Sequence, residues 1–227
     1  MRLSSVRSPA RAAASVATTL LVASAALSAT SELDPLLYGI EHRYNRAQTL
    51  SVKFQEEYSI AGRSRRPESG ELVLRKPGKM RWQYTNPPGK LFLSDGKEVY
   101  LYTAKDNRLE KSKLKASEDM RAPLAFLLGK LDFKKQFGGF EIRPSREGTF
   151  LIAKAGNERL PYEQIEMLVR SDFSIQRLTI DGRDQSKLKF TFENEVLNPT
   201  VNDGTFRFSI PRGAEVIDAV GAGSGEN

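Results

Sequence analysis

The chain has 227 residues, no cysteine, a single histidine, and a formal net charge of +7 from 35 Lys and Arg against 28 Asp and Glu. This length supports one sizeable hydrophobic core without covalent staples. The lack of thiols excludes disulfides, cysteine-ligated zinc, thiol nucleophiles and a cysteine-anchored lipid, and His42 alone gives histidine metal sites or triads little to build on.

Arg2, Arg7 and Arg11 precede an Ala/Ser/Thr/Leu/Val run with no further charge until Glu32. A basic start, an apolar stretch and small residues near a cut are the pattern of a secretory signal peptide. The competing reading is an uncleaved anchor, because Ala12 to Ala29 reaches the lower length of a membrane span. The run is only mildly apolar, however, which favours cleavage, after Ala29 or after Ala25. Residues 1–29 are thus expected to be a leader and 30–218 the mature domain, with the Gly/Ser-rich stretch 219–227 a disordered tail. Losing three arginines and no acid lowers the charge from +7 to +4. Basic clusters remain at Arg63, Arg65 and Arg66 and through Lys105, Arg108, Lys111, Lys113 and Lys115. They read first as a solvated polar face. If functional in an exported protein, they would meet anionic headgroups or an acidic partner rather than nucleic acid.

From Ser31 to Thr49, Leu33, Leu36, Leu37, Ile40, Tyr44 and Ala47 recur at three- and four-residue steps, and Asp34-Pro35 offers an N-cap followed by proline. This predicts an amphipathic helix with His42 off its apolar stripe. After Leu50 the period becomes two, with Val52, Phe54 and Tyr58 alternating with polar residues. The stretch GELVLRKPGKMRWQY, 70–84, reads as a hairpin about a Lys-Pro-Gly-Lys turn, with Met80, Trp82 and Tyr84 on one face of its second arm. KLFLSDGKEVYLYT follows as a second hairpin through Asp95-Gly96. Leu91 and Leu93 share a face of one arm, and Tyr100 and Tyr102 share a face of the other.

In mid-chain, Leu124, Leu127, Leu128 and Leu131 repeat at helical spacing after Pro123, predicting a second apolar helix. Strand patterns resume at 140–143, 149–154, 164–170, 174–180, 187–192 and 205–210. About ten or eleven short strands with two apolar helices predict a mainly β protein with an α lid (α+β), a meandering antiparallel sheet curled or closed into a barrel. Helices across the concave face of such a sheet would enclose an apolar cavity walled by Met80, Trp82, Tyr84, Leu91, Leu93, Tyr100 and Tyr102. An ordinary packed core is the other reading of the same periodicity.

Catalytic patterns are scarce. Glu56-Glu57 fall on a strand, where neighbours point to opposite faces, and Glu118-Asp119 fall at a helix start, where capping accounts for them. Phosphate loops, Gly-x-Ser-x-Gly and histidine-rich motifs do not occur. The composition therefore points away from an enzyme and calls for no metal or cofactor.

GELVLRKPGKMRWQYTNPPGKLFLSDGKEVYLY resembles the signature of the periplasmic outer-membrane lipoprotein carrier family, LolA, and the resemblance extends to SVKFQEEY, APLAFLLG and FENEVLNPTVNDGTFRFSIPRGAEVID, about 32–218 in all. It implies an unclosed antiparallel β-barrel with helical lids over a cavity for lipoprotein acyl chains. It also implies a periplasmic monomer that loads at an inner-membrane lipoprotein-releasing ABC transporter and unloads at the outer-membrane acceptor LolB or at the membrane itself. Carried over by position, Leu124, Leu127 and Leu128 belong to the lid, and Leu178 to a barrel strand facing it. Met80 falls where the family often has an aromatic that engages the release complex, and Trp82 matches the family tryptophan. Lys76 stands where the family commonly has a lid-locking arginine, which implies a looser lock unless Arg75 substitutes for it. A LolA-like envelope sensor would share these features. The LolB acceptor, itself a lipoprotein, would need a cysteine that this chain lacks.

Overall fold

The computed structural model describes residues 21–114 and 131–218, with side chains from residue 32 onward. Thirteen strands form one sheet. They are β1 (Thr49–Ile60), β2 (Arg63–Ser64), β3 (Glu68–Arg75), β4 (Lys79–Asn86), β5 (Pro88–Asp95), β6 (Glu98–Thr103), β7 (Arg108–Lys113), β8 (Phe137–Pro144), β9 (Thr149–Ala155), β10 (Tyr162–Val169), β11 (Ile175–Gly182), β12 (Ser186–Leu197) and β13 (Glu215–Asp218). Their order is β13-β7-β6-β5-β4-β3-β1-β12-β11-β10-β9-β8, with β2 attached to β1 and the two end strands unpaired with each other. The sheet is an unclosed barrel wall, antiparallel throughout except where β13 runs parallel to β7.

Among the described residues two α-helices accompany it, α1 (Leu21–Arg46) and the single turn α2 (Phe133–Gln136). The helix predicted to begin at Asp34-Pro35 instead runs through them, with Pro35 in its interior. The Ala- and Leu-rich residues before it have strong helix propensity and carry the helix past the local start signal. The predicted strand 205–210 is also absent. Asn202 caps a 3-10 turn, Asp203–Phe206, through its side-chain oxygen, which accepts from the Gly204 N–H at 2.7 Å, and the chain resumes extended pairing only at β13. Residues 1–20, 115–130 and 219–227, which include the expected lid leucines Leu124, Leu127 and Leu128, lie outside the described residues.

Register assigns the faces. Leu74 pairs with Met80, Leu72 with Trp82 and Gly70 with Tyr84, and β1 places Leu50, Val52 and Phe54 opposite Leu74, Leu72 and Gly70. Across the sheet, Met167 pairs with Leu178 and Leu178 with Phe190. Because directly opposed residues share a face, these side chains form one apolar layer on the concave side. Leu37, Ile40 and Tyr44 of α1 pack against that layer.

Candidate functional site

The concave layer centres on the only tryptophan. The Phe54 ring stands edge-on to Trp82 at 4.7 Å between centroids and to Tyr84 at 5.1 Å, and Phe190 lies 5.2 Å from Trp82. Trp82 donates its Nε1–H to Met80 Sδ at 3.3 Å. Tyr84 donates its hydroxyl to Glu56 Oε2 at 2.6 Å, so a carboxylate on the inner face of β1 is satisfied where apolar contact alone would leave it stranded. Sequence periodicity places Glu56 and Glu57 on opposite faces, and the structure agrees: Glu57 faces outward to Lys189 at 2.9 Å.

Met80, Trp82, Tyr84 and Leu178 are 3, 0, 1 and 1 % exposed. They form the floor of the concave face, closed in this conformation by contact between rings and with α1. A hollow of about 10 Å³ beside Tyr44, Leu50, Leu74 and Lys76 is smaller than an acyl chain.

The remaining predicted wall residues go elsewhere. On β5 it is Phe92 that opposes Trp82, and on β6 Leu101 opposes Phe92, which turns Leu91, Leu93, Tyr100 and Tyr102 to the convex face. The β4–β5 register shift between Gln83 and Thr85 decides this parity, and no residue pattern announces it. Tyr100 and Tyr102 meet Phe208 at 6.1 and 5.4 Å, under the segment that follows the 3-10 turn. Those four residues are thus corrected from cavity wall to a second, smaller apolar layer, which Leu109 and Phe206 complete as buried members.

Three sets of bonds hold α1 over the floor. On one side Arg43 donates from Nε and Nη2 to Glu195 Oε1 at 3.1 and 2.6 Å, and Tyr44 donates its hydroxyl to Glu195 Oε2 at 2.7 Å while accepting from the Ile175 N–H at 2.9 Å. Burial, with the Glu195 charge beside it, pushes the Tyr44 hydroxyl pKa far up. At the same place the ring of Phe173 covers Gly39; a Cβ on that residue would lie 2.3 Å from the ring. On the other side Asn45 exchanges bonds of 2.8 and 2.7 Å with the Leu131 backbone, and Glu41 Oε1 accepts from the Phe133 N–H at 2.8 Å. At the helix end, Lys76 Nζ donates to the Tyr44 carbonyl at 2.6 Å. Unpaired carbonyls and a partial negative charge favour a cation there, and burial pushes the lysine pKa down.

Arg75 does not replace Lys76. Its guanidinium lies over the Phe206 ring at 5.3 Å and donates to Asp203 and to the Val201 carbonyl, on the convex side. Arg43, Glu195, Gly39 and Asn45 went unread in the sequence, because each acts across more than eighty residues and none carries a local motif. Among the described residues no group of three His, Cys, Asp or Glu is placed to hold a metal, and no helix is long and apolar enough to cross a membrane.

An unclosed antiparallel sheet with a helix pinned across its apolar concave face defines a half-barrel with a helical cover. The family model described as outer membrane lipoprotein carrier protein LolA matches residues 45–209, and the chain belongs to that family. That family is one of carriers, not of known enzymes. The chain is 27% identical over 219 residues to an outer-membrane lipoprotein carrier protein of Cupriavidus necator, covering 91% of this chain and 95% of the relative. It is 28% identical over 176 residues to one of Azotobacter vinelandii, covering 76% and 83%. Among solved structures, a LolA superfamily protein from Nitrosomonas europaea aligns with 77% of this chain and 97% of its own, at 7% identity and a TM-score of 0.44.

Proposed function

We propose that this protein is exported, its leader removed, and that as a periplasmic monomer it shields the acyl chains of lipoproteins on their way from the inner to the outer membrane. The observation that supports this most is the continuous apolar floor of Met80, Trp82, Tyr84 and Leu178 beneath a helix that rests its apolar stripe on the floor and is pinned at its sides and end by polar bonds. Burying a methylene is worth about 0.8 kcal/mol, so a chain of about fifteen represents roughly 12 kcal/mol and does not cross water uncovered. Such a cover suits a carrier, because its hydrogen bonds exchange with water at little net cost and acyl chains can take the place of its apolar stripe on the floor.

In this cycle α1 lifts at the inner-membrane lipoprotein-releasing ABC transporter, acyl chains displace it from the floor, and handover to LolB or to the membrane lets it settle again. Lys76 acts as the gate at the end of α1, and Leu124, Leu127 and Leu128 act in a second lid. The cycle uses no cofactor and no nucleic acid.

Trp82 offers a direct test. A lipopeptide with brominated acyl chains should quench its emission, and native mass spectrometry of protein taken from the periplasm should find acylated ligand bound. Absence of both would sink the carrier reading. Depletion should strand lipoproteins at the inner membrane; binding with normal sorting would instead assign a sensor.

A further inference from the structure

At the end of the sheet away from Lys76, three neighbouring turns form a continuous rim. The β1–β2 turn is tied to the β11–β12 turn by the Ala61 N–H, which donates to the Gln185 carbonyl at 3.2 Å. The β11–β12 turn is tied to the β9–β10 loop by the Arg183 N–H, which donates to Pro161 O at 3.1 Å, and by Arg183 Nε, which donates to Leu160 O at 3.0 Å. This rim carries Arg63, Arg65, Arg66, Arg159 and Arg183 against only Glu158 and Asp184. The Asp184 carboxylate, though exposed, is engaged, accepting from the N–H and hydroxyl of Ser186.

Arg63, Arg65 and Arg66 are all exposed, and among the described residues none of them has an ion pair. Nearby cations behave differently: Lys90 is paired with Glu68, Lys187 with Asp181 and Lys189 with Glu57. The arginine cluster is also held in place. Its backbone is pinned by the Arg65 N–H, which donates to Tyr58 O at 2.8 Å, and the Arg65 guanidinium stacks over the Tyr58 ring at 4.6 Å from its centroid. Beside the arginines, at the tip of the same hairpin, Ile60 is 36% exposed.

We infer that the β1–β2 hairpin, with the rim behind it, docks the protein onto membrane surfaces rich in anionic phospholipid. Guanidinium groups present paired N–H donors that match phosphate oxygens, and each cation near an anionic bilayer adds attraction that salt removes. An apolar side chain among such cations inserts at the level of the headgroups. An acidic protein would satisfy the charges but would make no use of Ile60, whereas a bilayer takes both. This docking is read apart from cargo: Arg63, Arg65 and Arg66 are exposed at the rim, with Arg65 over Tyr58 at the margin of the concave layer, and binding by the empty protein reports the rim alone. Its failure would leave acyl-chain carriage standing, and the reverse holds too.

The test is sedimentation of cargo-free protein, processed and recovered from the periplasm, with phosphatidylcholine vesicles and with vesicles in which roughly one-third is phosphatidylglycerol. The protein should bind the anionic vesicles, release them at about 1 M salt and ignore the neutral ones. The triple variant Arg63→Ser, Arg65→Ser, Arg66→Ser should bind roughly a hundredfold more weakly, about fivefold per charge. Ile60→Ser should weaken binding with charge unchanged. A matched variant at the opposite end, Lys97→Ser, Lys113→Ser, Arg146→Ser, should bind nearly as well as the parent. Equal binding to neutral vesicles, no binding to anionic ones, equal losses in the two triple variants, or retention by poly-glutamate without vesicle binding would each overturn the inference. All substituted side chains are exposed, and an unchanged thermal midpoint confirms that folding is intact.

Discussion

Lys76 Nζ lies 2.6 Å from the carbonyl oxygen of Tyr44 and so fastens the last turn of α1 to the β3–β4 hairpin. Lysine brings one point charge to a place where arginine would bring a fork of donors able to bridge several carbonyls at once. Lys76→Arg is expected to hold α1 more firmly and slow ligand release, and Lys76→Met to speed it. Stopped-flow release of a fluorescent acyl ligand measures both, and identical rates in the two variants would remove Lys76 from the gate.

Tyr44 gives the molecule an alkaline limit. Its hydroxyl pKa is raised above the ordinary value of 10.0 by burial first and by Glu195 second. The folded state therefore keeps a proton that the unfolded state gives up, so stability is complete below about pH 10 and declines as pH rises further. Tyr44→Phe should cost about 1–3 kcal/mol at neutral pH, because Glu195 Oε2 loses the hydroxyl, leaving Glu195 only its bonds from Arg43, and the Ile175 N–H loses its acceptor. It should also flatten the fall in stability above pH 10, which urea titrations at pH 8 and about pH 10.5 would reveal.

Gly39 sits beneath Phe173, with no room for a methyl group. Gly39→Ala improves helix propensity by up to about 1 kcal/mol but forces the ring off the helix, an overpacking cost of about 1–3 kcal/mol. The second effect should win, loosening α1 and raising hydrogen exchange in its last three turns. The double variant Gly39→Ala, Phe173→Ala should recover most of the protection.

Trp82 is 0% exposed and packed by Phe54 and Phe190. Its emission should be strongly blue-shifted in the free protein, and Trp82→Ala should destabilise the fold by about 3–5 kcal/mol. Leu178→Ala, at the edge of the same floor, should cost about 2–5 kcal/mol. Denaturant unfolding followed by circular dichroism measures both.

Much of this architecture was legible in the chain because it is written in local periods. The alternation through Val52 and Phe54, the Met80-Trp82-Tyr84 face and the three- and four-residue steps through Leu37, Ile40 and Tyr44 each located an element and the side it buries. The faces of β5 and β6 were not legible. Their alternation reads equally well in either phase, since Leu91, Phe92 and Leu93 are all apolar, and the choice falls to a register shift at the β4–β5 turn. The bonds that pin α1 were invisible for another reason. Arg43 and Glu195 are 152 residues apart, and a charge alone does not name its partner.

The last strand, Glu215–Asp218, lies parallel along β7, at the far edge of a sheet whose other pairings are antiparallel. Those four residues pair with Arg108 to Lys111 and occupy backbone donors and acceptors that β7 would otherwise offer to any extended chain nearby. An exposed edge of this kind is a template for strand addition between molecules. The C-terminal segment thus replaces the six-residue border of β7 with a shorter one that carries the charges of Glu215 and Asp218, a less inviting place for another strand to attach.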